Sequence, residues 1–259
     1  MNVNKLFDLT GKVAVVTGGS RGIGLQMAEA LGEMGARIAL SARKQDELDA
    51  ARAHLEAMNV ECMTIAGDLV DSASAPRLVD AVLERWSTID VLVNNAGASW
   101  GAPAVEHPDA GWHKVMRLNV DAQFFLSREV GKRAMIPRRS GKIINIASIA
   151  GLGGNPPNWS LFTVGYNTSK GALISLTRAL AAEWGQYNIN VNAICPGFFR
   201  SKMAAATLDR IETMVKEVTP LGRLGGEEDL KGSVVFLASE ASRHITGQAI
   251  AVDGGFMAT

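Results

Sequence analysis

Val13-Ala-Val-Val-Thr17 runs directly into Gly18-Gly19-Ser20-Arg21-Gly22-Ile23-Gly24, and apolar residues at helical spacing follow over 25–34. Consecutive apolar residues, mostly β-branched, fit a strand buried on both faces, and glycine at its end lets the backbone turn sharply into a helix. Such a turn leaves the first N–H groups of the helix unpartnered, and they stabilise a negative group placed against them. Gly18, Gly22 and Gly24 differ in spacing from the common G-x-G-x-x-G but serve the same geometry: without side chains, the backbone can approach a pyrophosphate closely. The plainer alternative is a tight strand-to-helix turn that binds nothing.

Outward from this turn, short β-rich runs recur at 37–41, 61–65, 90–94, 142–146, 190–194 and 248–252. Helical patterns fill the intervals, as at 25–34, 45–58 and 73–86. Alternation of this kind predicts an α/β fold: a doubly wound (Rossmann) parallel sheet of about seven strands with helices on both faces. No repeat, low-complexity tract or linker interrupts it, so residues 1–259 read as one domain. The stretch 151–162, with its glycines and the pair Pro156-Pro157, reads as a loop, because proline lacks a ladder donor and biases the preceding residue away from helix.

Composition narrows the function classes. With 26 basic and 26 acidic residues, formal net charge is zero, and no block of like charge offers a footprint for nucleic acid or an anionic membrane. No apolar stretch approaches the roughly 20 residues of a membrane span, and a cytoplasmic protein is the expectation. The two cysteines, Cys62 and Cys195, are far apart and read as reduced core residues. His54, His107, His113 and His244 form no metal-ligand pattern, so no catalytic metal is expected.

Cofactor choice should be written at the end of the second strand, where an acid would bond the adenosine ribose 2′-hydroxyl of NAD. Ser41-Ala-Arg-Lys44 has no carboxylate there. Arg43 can instead meet a 2′-phosphate through its guanidinium fork, with Arg21 closing from the glycine turn, so NADP(H) is predicted. Either arginine is equally explained, taken singly, as a solvated surface charge.

Tyr166-Asn-Thr-Ser-Lys170 opens a strong helical run to Trp184. The i, i+4 spacing puts Tyr166 and Lys170 on one face, and a cation beside a phenol favours the phenolate. Alone, the spacing also suits a packing tyrosine and a surface lysine.

Together with Asp68-Leu69, Asn94-Asn-Ala-Gly97, Asn119, Ser148, Pro196-Gly197 and Val252-Asp-Gly-Gly255, in this order, these motifs make the chain resemble the short-chain dehydrogenase/reductase family over its full length. The resemblance implies an NADP-dependent oxidoreductase with the catalytic set Asn119, Ser148, Tyr166 and Lys170. Ser148 would polarise the substrate oxygen, Tyr166 would exchange a proton with it, Lys170 would hold the nicotinamide ribose, and Asn119, inside a helix over 110–133, would hold a relay water. Cofactor contacts are implied at Gly18, Ser20, Arg21, Gly22, Ile23, Gly24 and Arg43, at the adenine pair Asp68 and Leu69, and at Asn95, Ala96 and Gly97. Tyr166, Lys170, Pro196, Gly197 and Ser201 complete the set, Ser201 standing where the family more often has threonine. A homotetramer built on long helices and the last strand is also implied.

The substrate is less legible. Candidate walls are Trp100, the loop 153–162 with Trp159, Leu161 and Phe162, and the cover 198–203. The interval from Ser148 to Tyr166 is several residues longer than usual in the family, so the extra loop either narrows the mouth or packs under the cover. Resemblance points first to 3-oxoacyl thioester reductases. Tyr187 stands where carrier-docking relatives show arginine, with Arg138 and Arg139 as a second basic contact. A sugar-acid or polyol dehydrogenase of the gluconate 5-dehydrogenase type is the alternative, with Arg200 for a carboxylate. A catalytically dead NADP(H)-sensing protein is the reading from another class.

Overall fold

A computed structural model describes residues 2–200 and 205–259. Its seven strands are β1 (Val13–Thr17), β2 (Arg37–Ala42), β3 (Cys62–Ala66), β4 (Val91–Asn94), β5 (Gly141–Ile146), β6 (Ile189–Pro196) and β7 (Ala249–Val252). Each lies within a residue or two of the predicted run. They form one sheet in the order β3-β2-β1-β4-β5-β6-β7, and every pairing is parallel.

Side-chain alternation along the central strands divides the core into two layers. Ala14 and Val16 of β1 pack with α1 (Gly22–Glu33), α2 (Gln45–Ala57) and α7 (Lys231–Ala238). Val13 and Val15 face α3 (Ser74–Trp86), α4 (residues 109–138) and α5 (Val164–Trp184) on the other side. All five residues of β1 are buried, which explains the unbroken apolar run Val13–Val16. Burying a valine or leucine contributes roughly 1.5–3 kcal/mol, so the sheet is a stiff platform for what its strand ends carry. The sixth helix, α6 (Ala205–Val218), lies across that end, its Ile211 and Val215 packed with Trp159.

The long helix α4 differs from the expectation of a regular helix over 110–133. It passes from Asp109–Met116 through a π-helical turn, Arg117–Asp121, to Ala122–Val130, then through a second, Gly131–Met135, to Ile136–Arg138. The first π turn contains Asn119, which is fully buried. Widened turns of this kind are frequent at functional sites.

Strand order reverses between β1 and β4, and ligands of open α/β sheets bind outside the strand carboxyl ends at such a reversal. A cavity of about 450 Å³ lies there. Among the described residues, no helix is long and apolar enough to cross a membrane.

Candidate active site

The ends of β1 and β4 are stitched together at the cavity floor. Thr17 Oγ1 accepts from the N–H groups of Asn95 and Ala96, each at 3.0 Å. Asn95 Nδ2 donates to the carbonyls of Thr17 at 2.9 Å and Gly18 at 3.1 Å, so this side chain shapes the glycine turn. A Cβ on Gly24 would come within 2.4 Å of both Asn95 Nδ2 and the Gly18 carbonyl, which excludes any larger residue. The turn thus holds its helix N-terminus open to the cavity, beside Gly18, Ser20, Arg21, Gly22 and Ile23.

Every cofactor position expected from the sequence borders this one cavity, with the exception of Ser201, which lies outside the described residues. Arg43 and Lys44 join Arg21 at the end nearest β2, and Asp68 and Leu69 lie beyond β3. One member of this end escaped the sequence reading. Glu47, in the first turn of α2, reaches Arg21 Nη1 at 2.5 Å and Lys44 Nζ at 3.4 Å. Nothing local signals a pairing 26 residues apart.

At the opposite end, Ser148 follows β5, and Tyr166 and Lys170 descend from the first turns of α5. Ser148 Oγ accepts from the Ala150 N–H at 3.1 Å, which caps a short 3-10 turn and fixes the hydroxyl. Lys170 Nζ donates to the Ile146 carbonyl at 2.6 Å and stands 5.7 Å from the centroid of the Tyr166 ring. Burial pushes the Lys170 ammonium down to about 8.

Tyr166 departs from expectation. From its spacing, the neighbouring Lys170 cation is expected to lower the phenol's pKa; instead burial raises it above its ordinary value, with the Ser148 hydroxyl pulling the other way. Removing an anion from water outweighs the lysine, whose ammonium is directed at the Ile146 carbonyl. The phenol is therefore held protonated at neutral pH, the form that can donate.

Asn119 sits behind the cavity wall. Its Oδ1 accepts from the Ala98 N–H at 2.8 Å, and its Nδ2 donates to the Ala98 carbonyl and to Ser169 Oγ, both at 2.9 Å. Ser169 Oγ in turn donates to the Tyr166 carbonyl at 2.8 Å. This side chain thus ties the 97–98 segment to the first turn of α5. Ser169, the link in that chain, went unnoticed although it lies within the Tyr166 to Lys170 motif.

The substrate end corrects several expected walls. Phe198, Leu161, Phe256 and Met257 line it, together with Asn155 and Pro156 of the long loop. Trp159 lies behind them, its ring 5.8 Å from Phe198 and 5.7 Å from Phe256. Trp100 turns away onto Gly111 and Lys114, whose Nζ lies 5.2 Å from its ring, and Phe162 is exposed. The long loop borders the cavity through Gly154, Asn155, Pro156 and Leu161, and its Trp159 packs against Ile211 and Val215 of α6 and against Phe198. Phe256 and Met257 are reached because Asp253 accepts from the N–H groups of Gly255 and Met257, curling the chain back over the cavity. Arg200 is paired with Asp209 and Glu212 of α6 and does not border the cavity. Arg138 is held by Asp90, and Arg139 donates to the Gln186 carbonyl beside Tyr187.

Neither cysteine is poised for chemistry. Burial pushes the Cys62 thiol up to about 12 and the Cys195 thiol up to about 11. Among the described residues, no group of His, Cys, Asp and Glu side chains is arranged to hold a metal ion.

Known proteins resemble this chain over nearly its whole length. A family model described as enoyl-(acyl carrier protein) reductase matches residues 18–257. Gluconate 5-dehydrogenase of Gluconobacter oxydans (strain 621H) is 37% identical over 252 residues, 96% of each chain. The 3-oxoacyl-(acyl-carrier-protein) reductase of rhamnolipid biosynthesis from Pseudomonas aeruginosa is 38% identical, covering 96% of this chain and 98% of its own. A crystal structure of a gluconate 5-dehydrogenase from Burkholderia cenocepacia J2315, in complex with NADP and tartrate, superposes with a TM-score of 0.93 at 33% identity over the whole of both chains.

Proposed function

The chain belongs to the short-chain dehydrogenase/reductase family, oxidoreductases that act on alcohols and ketones, and from that premise we propose that it is an NADP(H)-dependent reductase of ketones of the 3-oxoacyl-thioester type. The observation that carries the reaction is the convergence of Ser148, Tyr166 and Lys170 at one end of a cavity whose other end holds the glycine turn and three cations. The residues fit a 2′-phosphorylated dinucleotide: the α1 N-terminus faces the cavity, and Arg21, Arg43 and Lys44 gather where no carboxylate ends β2. A relative crystallised with NADP supports the same choice.

NADPH, when bound, supplies a hydride to the carbonyl carbon. Ser148 Oγ hydrogen-bonds the carbonyl oxygen and orients it. Tyr166 Oη donates its proton to that oxygen as negative charge develops there, which its protonated resting form allows. Lys170 would hold the nicotinamide ribose, and its ammonium would keep positive charge near the phenol as it becomes an anion. Asn119 acts at a distance, by fixing the turn that carries Tyr166; a relay water belongs to this reading through the widened backbone turn around it.

Apolar walls favour a substrate with a hydrocarbon arm beside its ketone. Phe198, Leu161, Phe256 and Met257 offer such an arm burial and no charge. Arg138 is occupied by Asp90, so we place the thioester on a small carrier rather than a docked protein. A second reading, a sugar-acid or polyol dehydrogenase, draws on the 37% identity with a gluconate 5-dehydrogenase, though Arg200 is already paired. Following absorbance of NADPH and NADH against acetoacetyl thioesters, 5-ketogluconate and cyclic ketones separates these. Fastest turnover with the thioester and NADPH is expected; preference for 5-ketogluconate establishes the second reading, and turnover of none returns the chain to a binding role.

A homotetramer is part of the same reading. Phe124 and Phe125 are more than a third exposed on α4, with Arg128 stacked on both, an apolar face that a second copy would cover. Light scattering at micromolar concentration should give four chains' mass; a monomer would contradict it. Cytoplasmic residence fits the two buried free thiols.

A further inference from the structure

The 2′-phosphate end of the cavity contains a group of the wrong sign. Glu47 borders the cavity together with Arg21, Arg43 and Lys44. Its Oε1 lies 2.5 Å from Arg21 Nη1 and 3.4 Å from Lys44 Nζ, and Ser20 Oγ donates to its Oε2 at 3.5 Å. Only 23% of the Glu47 side chain is exposed, against 48% for Arg21 and 60% for Lys44. The carboxylate is therefore the least screened charge of the group.

An acid in the first turn of a helix has a bland explanation, since it complements the helix dipole. That explanation accounts for a carboxylate at position 47 but not for its reach of 26 residues back to the arginine of the glycine turn. A 2′-phosphate brings about two negative charges and bonds well to an arginine fork. It would have to draw Arg21 away from Glu47 or share it, and in either case it lies near a like charge. The ribose hydroxyl of NAD carries no such charge and meets no such competition.

We propose that Glu47 is a specificity-determining residue that restrains affinity for 2′-phosphorylated dinucleotides by holding Arg21 in an internal ion pair. Arg43, which makes no ion pair among the described residues, supplies the standing attraction, and Arg21 becomes available in proportion as Glu47 releases it. Cofactor affinity is thereby set below what these cations would give alone, which keeps release of the used dinucleotide from becoming slow. The proposal rests on the NADP(H) reading above.

Glu47→Gln keeps the shape of the side chain and removes its charge. Titration calorimetry with NADP+ and NAD+, on the full chain without substrate, reads the effect directly. The dissociation constant for NADP+ should fall about three- to tenfold in E47Q, the range of a partly exposed ion pair, while that for NAD+ changes less than about twofold. In an Arg21→Gln background the gain should be smaller than in the unaltered protein, because the larger part of the competition passes through Arg21, with Lys44 and direct repulsion supplying the rest. Melting curves for each variant check that the fold is intact. Unchanged or weaker NADP+ binding by E47Q overturns the proposal, as does an equal change for both dinucleotides. Tighter NAD+ than NADP+ binding by the unaltered protein overturns the cofactor reading itself, a result distinct from either.

Discussion

Tyr166→Phe should lower ketone turnover by about 10²–10⁴-fold while leaving NADPH affinity within about twofold of the original. Phenylalanine keeps the ring against which Lys170 stands and conserves nearly all buried volume, so the fold and the dinucleotide cradle are undisturbed. What disappears is the phenol hydroxyl that delivers a proton to the substrate oxygen. A thousandfold loss corresponds to about 4 kcal/mol of transition-state stabilisation, more than any rearrangement of packing would take from a side chain this similar. The check is steady-state absorbance of NADPH alongside fluorescence titration of its binding. Turnover retained within tenfold would remove Tyr166 from the chemistry.

Lys170→Met should produce a different signature, a loss in turnover of about 10²-fold accompanied by weaker dinucleotide binding. Methionine fills the niche of the lysine stem but leaves the Ile146 carbonyl without the donor that now stands 2.6 Å away. A buried acceptor without a partner costs about 1–3 kcal/mol, offset by the desolvation no longer imposed on the ammonium, so folding should survive. The pH profile gives the sharper test. Lys170 is charged below its folded pKa of about 8 and neutral above it, so kcat/KM for reduction by the unaltered protein should decline as pH rises through that value. K170M should lack that decline. The same alkaline limb in both proteins would assign it to another group.

The parallel sheet was readable because its central strands are buried on both faces, a condition met by the apolar run Val13–Val16 and, interrupted only by Asn145, by 143–146. Helix periodicity put Tyr166 and Lys170 on one face, and the family resemblance, carried by motif order, implied that Ser148 joins them at one site. Less accessible were features decided by tertiary contact. The π turn around Asn119 is a slip in hydrogen-bond register with no compositional mark. Trp100, Trp159 and Phe162 are alike in sequence, yet one folds onto α4, one packs behind the cavity and one faces water, because loop aromatics take whichever face the nearest helix leaves open. The pKa of Tyr166 went the other way for a related reason: spacing reveals the neighbouring cation but not the depth of burial. Glu47 was invisible as a partner of Arg21 until the first turn of α2 was brought against the glycine turn.

Substrate identity stays with loops and the curled C-terminus, where Leu161, Phe198, Phe256 and Met257 come from three separate parts of the chain. Fold and reacting groups are common to enzymes of many substrates; the walls are what differ.

The most direct measurement is a crystal structure of the protein with NADP+ and an unreactive analogue of the ketone. The analogue's oxygen should lie within hydrogen-bond reach of both Tyr166 Oη and Ser148 Oγ, with nicotinamide C4 about 3–3.5 Å from the adjoining carbon. A nicotinamide ring bound away from Tyr166, with the phenol closed off behind protein, would contradict it.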